Sequence, residues 1–337
     1  MKVSDLGEFG LIDRLADVLA AGGSAVLSGR LAVGIGDDAA VWRGEGEAVV
    51  ATTDTLVEGV HFLPEHLPWR DLGWKALAVN VSDIAAMGGT PGFALVTLAL
   101  RGSEEAENLD ALYAGIAEAA GAWEVAVAGG DIVRANEVMI SIALIGHAEL
   151  DGSGEPLVLR RNAASAGDVI AVTGALGGAA AGLQALRDGA QDSENARALI
   201  ERHLRPEARV DAGLAAIAAG LRCAIDVSDG LLQDIGHICK ASRVGAVVWR
   251  DKVPIDPALR DYEPGAALRY AVAGGEDYEL VLVGASEQID AIARAVDVPL
   301  TVIGEMVIDS DAQAKLLDES AKEIDVPAGG WDHLREG

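Results

Sequence analysis

Acidic side chains directly follow apolar or glycine-containing stretches at several places in this chain. The clearest run is Asp226-Val227-Ser228-Asp229-Gly230, which follows the apolar residues 223–225. Comparable sites occur at Gly36-Asp37-Asp38, Thr53-Asp54, Gly130-Asp131 and Gly275-Glu276-Asp277. Carboxylates gathered at strand ends repel one another unless a cation lies between them, and clustered carboxylate oxygens suit hard cations such as Mg²⁺. The pattern indicates strands that deliver acidic groups to a site with several metal ions, of the kind that handles phosphates.

The length of the chain predicts two domains. With 337 residues, half of them hydrophobic, the chain exceeds the size at which one core keeps growing. The segment 149–156 is polar and rich in turn-forming residues, so we place the boundary there. We expect an N-terminal domain over residues 1–150 and a C-terminal domain over residues 151–337, with the site where the two meet.

The charge of the chain excludes some classes of partner. Lys and Arg number 26 against 53 Asp and Glu, a formal net charge of −27. Such a surface repels nucleic acids and anionic membranes. A phosphorylated ligand would therefore need bridging cations that reverse the local field.

Other sequence features predict a cytoplasmic protein. The first nine residues lack the basic and then apolar plan of a signal peptide. Apolar stretches such as 93–100 are much shorter than the ~20 residues that a membrane-spanning helix needs. The only cysteines, Cys223 and Cys239, support neither a disulfide framework nor a cysteine-rich zinc site.

Hydrophobic periodicity predicts an alternation of strands and helices, which indicates an α/β (α+β) fold. An amphipathic helix is expected where Phe9, Ile12, Leu15 and Leu19 recur at helical spacing. In the first half we expect strands over 31–42, 48–53, 92–101, 124–128 and 137–148, and helices over 71–87 and 104–121. In the second half we expect strands over 169–174, 223–226, 244–249 and 278–283, a helix over 230–242, and a helix and strand within 287–306.

Several acidic residues also have ordinary structural interpretations. Asp37 and Asp38 match a dinucleotide-binding pattern in Gly34-Ile35-Gly36-Asp37-Asp38-Ala39, but two aspartates and a following strand argue against that site. They could instead form a turn or cap pair. Asp229 could cap the next helix as well as bind a metal ion. Asp226 and Asp83 are less easily explained, since an unpaired carboxylate is costly in an apolar strand or helix face.

Other candidates have weaker signals. Thr53 could add a neutral oxygen ligand beside Asp54, and Arg161 could contact a phosphate or adenine. His61 could be a structural hydrogen-bonding residue, and Trp331 a surface aromatic residue. The loop 173–178 has the look of a phosphate-binding loop but lacks the Lys-Ser/Thr pair that completes one.

Taken together, the motifs closely resemble the thiamine-monophosphate kinase family, from Gly7 to Trp331 in order. They are Gly36-Asp37-Asp38-Ala39, Thr53-Asp54-Thr55-Leu56-Val57-Glu58-Gly59-Val60-His61-Phe62, Lys75-Ala76-Leu77-Ala78-Val79-Asn80-Val81-Ser82-Asp83, Gly129-Gly130-Asp131, Ile225-Asp226-Val227-Ser228-Asp229-Gly230 and Gly274-Gly275-Glu276-Asp277-Tyr278-Glu279-Leu280. That family belongs to the superfamily of aminoimidazole ribonucleotide synthetase and selenophosphate synthetase. The resemblance implies an N-terminal αβ domain that dimerises through its sheet and a C-terminal αβ domain that covers the ATP cleft.

The resemblance also implies a set of site residues. The implied ligands of several Mg²⁺ ions are Asp37, Thr53, Asp54, Asp83, Asp131, Asp226 and Asp229. The implied ATP contacts are Tyr113, Gly130, Asp131, Arg161 and Ser228. The implied contacts to thiamine phosphate are His61, Glu276 and Trp331.

The implied reaction is phosphoryl transfer from ATP to thiamine phosphate by a homodimer. The attacking phosphate oxygen has a second pKa of ~6, so it needs no side-chain base. This agrees with the absence of a convincing pair of nucleophile and base, and we expect direct in-line transfer. Aminoimidazole ribonucleotide synthetase activity and a non-catalytic nucleotide or Ca²⁺ sensor are the alternatives. Selenophosphate synthetase would need a reactive N-terminal cysteine, and the hydrogenase-maturation relative a C-terminal one; neither occurs.

Overall fold

Two six-stranded sheets organise the chain, one in each half. The computed structural model describes Gly10, Ile12 and residues 30–190 and 192–326. The predicted helix around Phe9 to Leu19 lies, apart from these two positions, outside the described residues, and so does Trp331. None of the helices within the described ranges combines the length and the apolar character required to cross a membrane.

The first sheet has the strand order β1-β2-β3-β6-β4-β5. Its strands are β1 (Leu31–Val33), β2 (Ala40–Arg43), β3 (Ala48–Val57), β4 (Thr90–Leu100), β5 (Ala126–Arg134) and β6 (Met139–Ala148). Neighbours are antiparallel except for β4 and β5, which are parallel. Buried and more accessible residues alternate along β6, so one face of the sheet packs on the core.

Two helices cover that face, α1 (Trp69–Ala86) and α2 (Ala106–Ala122). Most of α1 is buried because it packs on the sheet, on α2 and on elements of the second half. Glycines allow α1 and α2 to approach closely. A Cβ atom on Gly73 would lie 1.9 Å from the carbonyl oxygen of Leu112, and one on Gly115 would lie 1.7 Å from that of Arg70.

The second sheet has the order β12-β9-β11-β7-β10-β8. Its strands are β7 (Val169–Thr173), β8 (Cys223–Asp226), β9 (Gly245–Trp249), β10 (Leu280–Gly284), β11 (Leu300–Val307) and β12 (Ala314–Leu317). Its helices are α3 (Gly178–Arg187), α4 (Glu194–Leu204), α5 (Val210–Ala218), α6 (Leu231–Ser242), α7 (Pro257–Tyr262), α8 (Ala267–Ala273) and α9 (Ser286–Ala295). All strand pairs are antiparallel except β12 with β9.

The two halves share a core of small residues. Ala85 and Ala86 at the end of α1 pack with Ala212 and Ala216 of α5 and with residues of the second sheet. A Cβ atom on Gly213 would lie 2.1 Å from the carbonyl oxygen of Ala85. The end of α1 is therefore held directly against the second half.

Most predicted elements are found, but several differ. The strand expected over 31–42 is two strands, because the chain turns between them at Gly36, which has a φ of 116°. The strands β3 and β5 run further than predicted, so Asp54 and Asp131 lie inside strands, where each continues a ladder with its neighbours. The short strand β12 was not predicted, since four residues carry little periodicity.

Candidate functional site

Three carboxylates from distant parts of the chain meet where the two halves join. Asp38 lies in the turn between β1 and β2, Asp83 in the last turn of α1, and Asp226 at the end of β8. One carboxylate oxygen of each lies within 4.8 Å of those of the other two. We call these three residues the acidic cluster. It brings together residues of both halves, as the sequence predicted for the site.

Hydrogen bonds from neighbouring side chains fix the orientation of each member of the acidic cluster. Thr52 Oγ1 donates to Asp83 Oδ2 at 2.5 Å, and Ser82 Oγ donates to Asp226 Oδ2 at 2.6 Å. The Arg161 guanidinium donates to Asp38 Oδ1 at 2.7 Å, and it is the cation that the described residues place in contact with the cluster.

The electrostatics of the acidic cluster suit a bound cation. Burial raises the pKa of Asp226 to about 8, and the nearby charge of Asp38 adds to this shift. Burial and the charge of Asp54 raise the pKa of Asp83 well above its ordinary value. Three close carboxylates with one guanidinium lack compensating charge when they are ionised, and their oxygens form the donor set that Mg²⁺ prefers. The residues present therefore fit a magnesium site.

Neighbouring groups hold the strand and turn that deliver these residues. The backbone N–H of Asp54 donates to Asn80 Oδ1 at 3.0 Å, which ties β3 to α1. The backbone N–H of Arg161 donates to Asp37 Oδ1 at 3.0 Å. Asp37 thus faces the backbone at Arg161, and burial raises its pKa to about 6.

A second group of possible ligands lies at the start of α6. Oxygen or nitrogen atoms of Asp229, Asp234 and His237 lie within 4.8 Å of one another. Asp234 Oδ2 accepts the backbone N–H of Gly230 at 3.0 Å, whereas Asp229 Oδ2 accepts from Gln233 at 3.1 Å. The N-cap of this helix is Gly230, and Asp234 accepts the Gly230 amide.

The segment that contains Glu276 packs against the run after β8. The backbone N–H of Glu276 donates to the carbonyl oxygen of Ser228 at 2.8 Å. Its side chain forms an ion pair with Lys75 Nζ at 2.8 Å, and its Oε2 lies 3.3 Å from His203 Nδ1. Ser228 and Glu276, predicted to contact different substrates, are therefore adjacent.

Two other predicted ligands, Thr53 and Asp131, are not members of the acidic cluster. Thr53 is exposed on the face of β3 opposite Thr52 and Asp54, because strand side chains alternate. Asp131 lies on β5, whose residues are all exposed, and accepts the backbone N–H of Ile132 at 2.9 Å. A Cβ atom on Gly130 would lie 1.7 Å from the carbonyl oxygen of Val96, so glycine is needed there for strand packing.

His61 and Tyr113, two residues predicted to contact substrates, both lie in the described part of the chain. His61 Nδ1 accepts the backbone N–H of Val57 at 3.0 Å, so this histidine does hold the loop after β3. Tyr113 is 41% exposed on α2. Their proposed ligand contacts remain predictions, as does that of Trp331.

The loop before α3, which resembles a phosphate-binding loop, donates its backbone N–H groups to a side chain of the protein itself. Asp277 accepts the backbone N–H groups of Gly177 at 2.7 Å and Ala179 at 3.1 Å. These are the groups that a phosphate would use at a helix N-terminus. The loop is thus closed by a carboxylate, which agrees with its incomplete phosphate-loop sequence.

Sequence reasoning missed several residues that the structure brings to the site. The implied metal ligands include Asp37 but not its neighbour Asp38, and Thr53 rather than Thr52. The alternation of strand side chains could have selected Thr52, which shares a face with Asp54. No local signal distinguishes Lys75 or His203, because each acquires its role only by meeting Glu276.

Comparisons with known proteins agree along the whole chain. The profile of the AIR synthase related protein, N-terminal domain, matches residues 36–148, and that of the C-terminal domain matches residues 165–316. The chain is 39% identical to the thiamine-monophosphate kinase of Escherichia coli K12, over 97% of this chain and 98% of that protein. It is 34% identical to the enzyme of the same name from Bacillus subtilis 168, over 90% and 94%.

Solved structures give the same result. The structure described as AaThiL complexed with AMPPCP and TMP superposes with a TM-score of 0.85 at 31% identity and covers 99% of both chains. Thiamine-monophosphate kinase from Stenotrophomonas maltophilia K279a has a TM-score of 0.74 at 37% identity, over 90% of this chain and 95% of that one. The Escherichia coli hydrogenase maturation protein HypE, at 20% identity and a TM-score of 0.68, shares the fold.

Proposed function

Because the chain belongs to the thiamine-monophosphate kinase family, we propose that it transfers the γ-phosphate of ATP to the phosphate of thiamine phosphate. The products are ADP and thiamine diphosphate. The observation that carries this proposal is the acidic cluster of Asp38, Asp83 and Asp226 where the two halves meet. A relative solved with an ATP analogue and TMP supports the two substrates.

We propose that several Mg²⁺ ions are held by acidic and hydroxyl oxygens around this cluster. The proposed ligands are Asp37, Thr53, Asp54, Asp83, Asp131, Asp226 and Asp229, and we add Asp38 because its carboxylate lies with those of Asp83 and Asp226. Bound Mg²⁺ would neutralise the phosphate oxygens of both substrates and align them. The chain's own contribution is to hold these carboxylates in place, through Thr52 on Asp83 and Ser82 on Asp226.

The remaining proposed contacts divide between the two substrates. For ATP they are Tyr113, Gly130, Asp131, Arg161 and Ser228, and for thiamine phosphate they are His61, Glu276 and Trp331. The adjacency of Ser228 and Glu276 supports this division, because a transferred phosphoryl group must pass between two substrates held side by side.

We propose direct in-line transfer with no side chain as nucleophile or base. The acceptor phosphate has a second pKa of ~6, so it is largely ionised at neutral pH. Burial raises the pKa of the Cys239 thiol to about 11 and also raises that of Cys223, which makes both cysteines poor nucleophiles. The residues need only position the reactants and exclude water.

The test is ADP release measured with ATP and Mg²⁺, with and without thiamine phosphate, and with a panel of other phosphorylated acceptors. We expect release that depends on thiamine phosphate, together with thiamine diphosphate in equal amount. Release with another acceptor alone would favour the aminoimidazole ribonucleotide synthetase type of activity. ATP binding without any turnover would favour a sensor.

A further inference from the structure

A buried lysine connects the two halves beside the proposed substrate site. Lys75 lies in α1 and is 1% exposed, and its Nζ atom is 2.8 Å from Glu276 Oε1. His203 of α4 is 4% exposed, and its Nδ1 is 3.3 Å from Glu276 Oε2. The function of Lys75 is not explained by the acidic cluster, which it does not join. Burying an ammonium group costs desolvation free energy, and a close carboxylate such as that of Glu276 offsets this cost.

Of this trio, only Glu276 has a side chain that is partly exposed. The Glu276 side chain is 29% exposed, whereas Lys75 and His203 are almost fully buried. Although burial alone would raise the pKa of Glu276, the Lys75 ammonium and the His203 hydrogen bond lower it well below its ordinary value. Glu276 is therefore ionised, and Lys75 and His203 act on it from the buried side.

The backbone at Glu276 also depends on its neighbours. Its φ is 67°, and Tyr278 has a φ of 52°. Non-glycine residues adopt this left-handed region only at a cost, so they keep it where the surroundings impose it. The hydrogen bond to the Ser228 carbonyl and the ion pair with Lys75 are the contacts that hold Glu276 in this conformation.

The same helix sets the position of the acidic cluster. Lys75 and Ser82 are seven residues apart, about two helical turns, so they lie on one face of α1. Ser82 holds Asp226 while Lys75 holds Glu276. One rigid helix thus fixes the distance between a proposed metal ligand and a proposed substrate contact.

We propose that Lys75, assisted by His203, is a positioning residue that orients the Glu276 carboxylate toward the organic part of thiamine phosphate without touching the substrate itself. The inference rests on the proposed function. It assigns to α1 a specificity role in addition to its role at the metal site.

The test compares Lys75→Met, Glu276→Gln and the double variant for the KM of each substrate, kcat and the melting temperature. Each single variant should raise the KM for thiamine phosphate at least about tenfold and change that for ATP less than about twofold. The double variant should match Glu276→Gln in KM within about twofold, because Lys75 acts through Glu276. It should also recover melting temperature, since both buried charges are gone.

Lys252→Met is the matched control, because Lys252 is exposed in the second half, and it should leave all values unchanged. Independent effects, with the double variant's KM rise equal to the product of the two single rises, would overturn the inference. So would a lower melting temperature in Lys75→Met with an unchanged KM. If Lys75→Met does not fold, the KM for thiamine phosphate is compared between the double variant and Glu276→Gln alone. A KM in the double variant more than about twofold above that of Glu276→Gln would then overturn the inference. A wild-type protein without turnover of thiamine phosphate would instead overturn the proposed function, and with it this inference.

Discussion

At the residue scale, Asp83 best shows why we propose a cation at the acidic cluster. Its carboxylate lies partly buried beside Asp38 and Asp226 and accepts a hydrogen bond from Thr52 Oγ1. Burial and the neighbouring charges raise its pKa well above the ordinary value. Such a residue destabilises the ionised protein unless a cation or a proton compensates the charge. We interpret this instability as the physical basis of the proposed metal binding.

Asp83→Asn should lower turnover at least ~100-fold while the protein stays folded, because a metal ion contributes several kcal/mol to the transition state. Added Mg²⁺ should raise the melting temperature of the wild-type protein more than that of the variant. Asp110→Asn, the same change on an exposed part of α2, is the control. Near-normal turnover in folded Asp83→Asn would remove Asp83 from the metal site.

At the element scale, the start of α3 shows how a carboxylate can replace a ligand. Asp277 accepts two backbone N–H groups there, and these bonds favour its ionised form. Burial outweighs them and raises its pKa to about 8. The helix is therefore capped by a group that holds its proton more tightly in the folded chain than in the unfolded one.

This shift predicts a pH dependence of stability. A carboxyl whose pKa is raised by folding stabilises the folded state at low pH, and this contribution is lost as the pH rises from ~4 toward about 8. In Asp277→Asn, which keeps a capping oxygen, the melting temperature should fall less steeply over this range than in the wild type. Parallel curves for the two proteins would show that Asp277 is ionised throughout.

The other informative element is β5, an edge strand with every residue exposed. Ile132 is 67% exposed, and Phe93 on the adjacent β4 is 58% exposed. Exposed apolar residues on a sheet edge invite pairing with another chain. This supports the prediction, first made from the resemblance, of a homodimer built by the N-terminal sheet.

Sedimentation of the wild-type protein at micromolar concentration should therefore show a dimer. Ile132→Lys should shift it to the monomer, because a charge would be buried in the interface. Ile308→Lys is the control, since Ile308 is 93% exposed between β11 and β12. A wild-type monomer at all concentrations that support activity would contradict the dimer.

At the scale of the whole molecule, the site exists only where the two halves meet. Asp38 and Asp83 come from the first half and Asp226 from the second, while Lys75 and Glu276 form a second link across the same junction. Both substrates would be held between the halves, so no covalent intermediate is required to carry the phosphoryl group. A cytoplasmic location remains a prediction, and so do the domain ranges 1–150 and 151–337.

Direct transfer predicts that incubation with γ-labelled ATP and Mg²⁺ leaves no stable label on the protein. The physical reason is that the acceptor phosphate is already ionised and attacks the γ-phosphate itself. Label should appear in thiamine diphosphate once thiamine phosphate is added. Label that first resides on the protein and then passes to thiamine diphosphate would require a different mechanism.

The sequence by itself determined the alternation of strands and helices, the long helix that carries Asp83, and the acidic run after β8. These features are local, because periodicity and turn residues depend on neighbours in the chain. The ordered motifs also indicated the correct family, which the comparisons confirm. The sequence further predicted a site where the two halves meet, since each half places acidic groups at the ends of strands.

Only the tertiary structure decided which of these groups meet. Neighbouring residues in a turn or strand point in different directions, so Asp38 rather than Asp37 joins the acidic cluster, and Thr52 rather than Thr53 contacts Asp83. The pairing of Lys75 with Glu276 has no local signal, because the two residues meet only when α1 packs against the second half. Long-range packing sets these contacts, and local periodicity carries no information about it.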